Sequence, residues 1–179
     1  MNNQFVPQIT LYDYAVSGAV CSNDITPRLF SLIHGDFPAV LQYEIPAFIA
    51  DSKALNTVTG QPYFSPALTQ SNAVYSMWIG TNDLGVDCFF TDSQVPGKTL
   101  TDYTDCIYSA FDEIYATGAR YFVLMNNAPL YLAPLYANAS EGGVATRYWP
   151  NKPSNWTAIA EQMKVACLVH SLLRCRCRS

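Results

Sequence analysis

Charge is what this chain has least of. Only 13% of its 179 residues are Asp, Glu, Lys or Arg, about half the ~25% of an ordinary globular protein. The net charge is -4 and the pI is near 4.9, so the chain lacks the basic field that holds a nucleic acid. It also lacks a continuous apolar run of ~18 residues, so no membrane span is expected. The opening stretch, "MNNQFVPQITLYDY", has no basic segment followed by an apolar core and does not read as a secretion signal. No internal repeat is visible. What is abundant is apolar and aromatic: 50% hydrophobic residues and 13% aromatics, with 12 Tyr. That excludes a disordered composition and suits one domain with a sizeable core. Six cysteines and two glycosylation sequons, "NAS" at Asn138 and "NWT" at Asn155, favour a secreted body.

Hydrophobic patterning predicts the elements. "QITLYDYAV" (8–16) reads as a strand, ending at the loop "SGAVCSND". A helix is expected next, with Pro38 in its first turn and Pro46 bending or splitting it. "NAVYSMWIG" (72–80) reads as a second strand. The clearest helix is "TLTDYTDCIYSAFDEIYATG", with Thr99 and Asp102 as a capping box and Gly118 as its C-terminal cap. "RYFVLMN" (120–126) is nearly all apolar, as a strand covered on both faces is. Ile159, Met163 and Ala166 mark a last helix. Strand, helix, strand, helix, strand, helix predicts an α/β three-layer sandwich around a mainly parallel sheet, flavodoxin-like in build. In such sheets, sites form at the C-terminal ends of strands. "SGAVCSN" and "WIGTNDLG" both fall there.

"WIGTNDLG" crowds Gly80, Asn82, Asp83 and Gly85 together. Such residues are ordinary turn formers. The sharper reading is that Asn82 is held at a strand end with its amide facing a reacting atom.

Two stretches resemble the SGNH hydrolases, also called GDSL-type esterases and lipases. "YDYAVSGAVCSN" (12–23) is similar to the block that carries an oxyanion-hole glycine. "WIGTNDLG" is similar to the Gly-x-Asn-Asp block that carries an oxyanion-hole asparagine. "PAFIADS", "TDSQVPGKTLTDYTDC" and "RYFVLMNNAPLYLAPLY" resemble the fungal members grouped as carbohydrate esterase family sixteen, acetylesterases of hemicellulose side chains. The resemblance implies that Gly18 gives a backbone N–H and Asn82 a side-chain N–H to the oxyanion of an ester's tetrahedral intermediate, where fixed donors lower the barrier. It assigns Ser17, Thr81 and Asp83 to substrate binding. It implies no cofactor and no metal, and a monomer acting outside the cell on a small-molecule or glycan ester, with neither nucleic acid nor membrane as partner.

The family pattern also needs Gly-Asp-Ser, with the serine as nucleophile, and Asp-x-x-His, with the histidine as base. Neither occurs in these 179 residues. "HGDF" (34–37) has Phe where the serine belongs. Ser31 stands three residues before His34, and Cys167 three before His170. Ser17 fails as a nucleophile elbow, because Ala15 replaces the required glycine. The chain is therefore expected to be truncated at its start and inactive as given, with a partial SGNH-hydrolase domain over 1–164. After Lys164 the composition shifts to "VACLVHSLLRCRCRS", with Cys167, Cys175, Cys177, Arg174, Arg176 and Arg178. This 165–179 tail is expected to be an out-of-frame or misspliced end. A zinc site from Cys167, His170, Cys175 and Cys177 has suitable ligands, but its spacing matches no familiar zinc knuckle. Among the other cysteines, Cys88 is expected to pair with Cys106.

Two further classes remain open. One is a noncatalytic carbohydrate-binding protein using Trp78, Tyr131, Tyr136 and Trp149 as stacking platforms. The other is a nonfunctional fragment that does not fold alone.

Overall fold

A computed structural model describes residues 9–137, 139–152 and 156–171. In chain order it has β1 (Leu29–Phe30), β2 (Gly35–Asp36), a wide helical turn (Val40–Glu44), α1 (Ile45–Asp51), β3 (Val74–Met77), α2 (Leu100–Ala116), β4 (Tyr121–Leu124) and α3 (Trp156–Ser171). The fold is mixed α/β. β1 and β2 form a short antiparallel hairpin. β3 and β4 pair in parallel, Val74 opposite Tyr121 through Met77 opposite Leu124, with α2 as the crossover.

α2 forms where the pattern places it. The Thr99 N–H donates to the Asp102 carboxylate at 2.8 Å, and the Asp102 N–H returns to Thr99 Oγ1 at 3.4 Å, closing the capping box. Tyr103, Ile107, Ala110 and Ile114 form its buried stripe. Gly118 has φ +106, the left-handed backbone that ends such helices. Pro46 does not split the helical stretch: the backbone stays helical through Glu44 and Ile45, and only the winding changes, from the wide turn to α1, beside the proline. Pro38 lies ahead of this turn, not within it, because Ala39 is the extended N-cap residue.

Two strand expectations are corrected. Residues 9–16 join no ladder. Ala15 and Val16 N–H groups donate instead to the Asp13 and Glu44 carboxylates, and Ile9 and Leu11 are exposed. Among the described residues β4 is covered on one face only. Its Phe122 packs on Phe111 and Tyr115 of α2, while Phe48 of α1 packs on Tyr75 of β3. The other face presents Val74, Ser76 and Trp78 beside Tyr121, Val123 and Met125, all exposed. An all-apolar run thus served one buried face and one bare one. α3 runs through Lys164 without a break, and Cys167 is buried. Among the described residues no helix is long and apolar enough to cross a membrane.

Candidate active site

The C-terminal end of β3 opens into a turn that faces the loop after residue 16. In that loop the Ala19 N–H closes a tight turn on Val16 O at 2.9 Å. Gly18 takes φ +101, a conformation that a side chain would strain. A Cβ there would also lie 3.2 Å from the Phe37 ring. The Gly18 carbonyl accepts from the Arg28 guanidinium, which stacks 5.5 Å from the Phe37 ring centre. The Gly18 N–H donates to no acceptor among the described residues.

The facing turn is wound by the Leu84 N–H on Gly80 O at 2.9 Å. It swings Asn82 across to the loop, where Asn82 Nδ2 donates to Ala19 O at 2.9 Å. An amide nitrogen carries two hydrogens, so one remains for a ligand. Gly18 and Asn82, 64 positions apart in sequence, are therefore brought to one place.

Asp83 points the other way, inward. It is 0% exposed. Its Oδ1 accepts from the Cys21 N–H and from Thr26 Oγ1, both at 2.9 Å, while Oδ2 is buried with no hydrogen-bond partner among the described residues. The burial sets Asp83 against the backbone of the Gly18 loop, with no surface open to solvent. Ser17 and Thr81 are exposed beside the donors, and Thr81 Oγ1 donates to Asn127 Oδ1 at 3.2 Å.

Burial pushes the Asp83 carboxyl up to about 6, against the lowering effect of its hydrogen bonds and of Arg28. Between pH ~4 and ~6 the folded chain holds a proton that the unfolded chain has released. This contribution to stability is complete below pH ~4 and lost as pH rises through ~6, by about 3 kcal/mol in all. The difference in urea midpoint between wild type and Asp83→Asn should therefore change between pH 4 and pH 7. Parallel pH curves for the two proteins would refute it.

The disulfide is Cys21–Cys106, not Cys88–Cys106. It ties the Gly18 loop to α2. Cys88 is a free thiol, packed with Val20 and Ala39. Burial pushes it up to about 12, so it stays protonated.

Several supporting residues carried no signal in the sequence. Thr26, Arg28, Phe37 and Asn127 act through contacts set by tertiary folding. Two of the proposed stacking platforms are corrected: Tyr136 and Trp149 are buried, packing edge-on against Phe90. Trp78 is exposed on the bare sheet face. His34 has φ +49 in the hairpin turn and is exposed. No group of three or more His, Cys, Asp or Glu suited to a metal occurs among the described residues. Cys175 and Cys177 of the zinc alternative, and both sequon asparagines, lie outside the described residues.

Over 156 residues the chain is 40% identical to an acetylesterase of Hypocrea jecorina, covering 86% of this chain and 42% of that relative. Over 136 residues it is 31% identical to a GDSL esterase/lipase of Arabidopsis thaliana, covering 72% of this chain and 38% of that relative. The chain thus spans about two fifths of the length of these curated relatives. No protein-family model matches it.

Proposed function

From an acetylesterase-like chain that matches esterases of the GDSL type along most of its length, we propose that the whole protein hydrolyses acetyl esters of carbohydrate by an acyl-serine mechanism. This chain contributes the oxyanion half of that site. The observation that carries this reading is the 2.9 Å contact of Asn82 Nδ2 with the carbonyl of Ala19, the residue after Gly18. In the reaction a serine oxygen attacks the acetyl carbonyl and the carbonyl oxygen becomes an oxyanion. The Gly18 N–H and the second Asn82 N–H stabilise that charge as it develops. Glycine lets the backbone approach closely, and an amide donates at any working pH. A base elsewhere takes the serine proton and returns it to the departing sugar hydroxyl. Water then repeats the attack on the acyl-serine and releases acetate.

The exposed apolar row Val74, Trp78, Tyr121, Val123 and Met125 supports a further layer over that face, completing a three-layer α/β/α sandwich. The buried Cys21–Cys106 bond supports an oxidising, extracellular setting. The protein is read as a monomer acting on soluble or polymeric glycan esters.

The test is turnover of p-nitrophenyl acetate and acetylated xylan by the product of the full-length transcript. Asn82→Ala in that protein should lower kcat by ~10²–10³ with the fold unchanged, as loss of one oxyanion donor does. The 179-residue chain alone should give no turnover that a serine-directed inhibitor removes. A full-length Asn82→Ala variant with wild-type kcat would reject the assignment.

A further inference from the structure

Asn82 and Asp83 are neighbours in one turn, and both side chains reach the same short stretch of the facing loop. Asn82 donates to the Ala19 carbonyl, and Asp83 accepts from the Cys21 N–H two residues on. The same Asp83 oxygen takes the Thr26 hydroxyl, which fastens the far end of that loop. The turn therefore satisfies one acceptor and one donor on the loop that bears Gly18. On the loop's other side, Arg28 donates to the Gly18 carbonyl and Asn23 Nδ2 to Phe37 O. Asp83 is the only one of these partners that is fully enclosed and charged when ionised. A buried carboxyl with one unpartnered oxygen calls for an explanation, since most such groups are paired.

We propose that Asp83 is the positioning residue of the oxyanion pair: by holding the Cys21 N–H and the Thr26 hydroxyl on one oxygen, it sets the approach of the Asn82 amide to the Gly18 turn. This rests on the ester-hydrolysis reading for its consequence, though not for its geometry. The role needs an acceptor at Oδ1, not a charge. A proton on Oδ2, which has no hydrogen-bond partner among the described residues, would leave both hydrogen bonds in place. The titratable groups that face it are the Cys88 thiol from the segment after the turn, the Tyr103 phenol from α2 and the Arg28 guanidinium from the loop.

The experiment is nitrogen-15 NMR of the full 179-residue chain from pH 4 to 8. It follows the Asn82 side-chain amide and the Gly18 and Cys21 backbone amides. In wild type, Cys21 and Asn82 should titrate together near pH 6, and both should stay slow to exchange. Asp83→Asn keeps the acceptor oxygen, so both signals should keep their protection and lose the titration. Thr26→Val should shift both part of the way. Asp83→Ala should speed Asn82 amide exchange about tenfold, the loss of one hydrogen bond. A merely structural role would lower the melting temperature and leave the Asn82 exchange rate unchanged. Unchanged Asn82 exchange in Asp83→Ala, or loss of protection in Asp83→Asn, would overturn the proposal. Should Asp83→Ala not fold, Asp83→Asn and Thr26→Val decide alone: retained protection and a partial shift support positioning, anything else rejects it. No ester is turned over in this assay, so its failure is separable from failure of the esterase reading.

Discussion

Replacing both Cys21 and Cys106 with alanine should lower the unfolding free energy by about 4–5 kcal/mol. The bond spans 85 residues of sequence. In the chain-entropy account, a cross-link removes closed-loop freedom from the unfolded state, and loops of this length sit near the upper end of the effect. Most domains have only about 5–15 kcal/mol in total. Losing this bond removes a large fraction of that, and a chain with one bare sheet face has little in reserve. The effect is also local. Cys21 lies in the Gly18 loop, and its N–H is the one held by Asp83. Urea midpoints of wild type and the double variant, both under non-reducing conditions, measure it. A difference below about 1 kcal/mol would mean that the unfolded chain is already compact or the bond strained. Peptide mapping that linked Cys88 to either partner would refute the pairing outright.

Gly80→Ala should cost about 2–6 kcal/mol, a large amount for one methyl group. Two terms add. Gly80 has φ +119, where any side chain is strained by about 1–3 kcal/mol. The added Cβ would stand 2.2 Å from the Tyr103 hydroxyl. Tyr103 is among the largest fully buried side chains, so it has no free direction in which to yield. Overpacking of this kind typically costs about 1–3 kcal/mol more. Gly97→Ala is the internal control. Gly97 also has positive φ, at +83, but a Cβ there meets nothing within 4 Å. It should cost no more than the backbone term. Equal losses at the two positions would show that the Tyr103 contact is relieved by relaxation. Because Gly80 starts the turn that carries Asn82, the same variant should also disturb the Asn82–Ala19 contact.

The sequence made some of this legible and not the rest, for physical reasons. α2 and its cap were readable because both are local: a 3.6-residue apolar stripe and two side chains three positions apart. Pro46 misled in part, because a proline in the first turn of α1 costs no hydrogen bond there and the helical run continues through it. β3 was readable from its apolar run. The segment 9–16 misled because strand propensity describes a fit to a pleated neighbour, and here it meets carboxylate acceptors instead of a ladder. The β1–β2 hairpin has two-residue strands, too short to leave a period. The disulfide was misassigned because proximity in sequence favoured Cys88, whereas tertiary packing brings Cys21 to α2. Asn82 stood out through resemblance and turn composition. Thr26 and Asn127 did not, since nothing in a lone Thr or Asn reveals which buried carboxylate or hydroxyl it will meet.

The covalent tie has a topological consequence. Between Cys21 and Cys106 lies the exposed loop over residues 52–73, the type of segment that proteases open first. A single cut there leaves two polypeptides, one ending in the loop and one beginning in it. One carries the Gly18 turn and the other carries Asn82, yet the sulfur bridge keeps them a single molecule. On a gel without reductant the nicked chain runs as one band, and with reductant as two. The donors that face each other across the site are thus held together by a circuit that does not depend on the peptide backbone being whole.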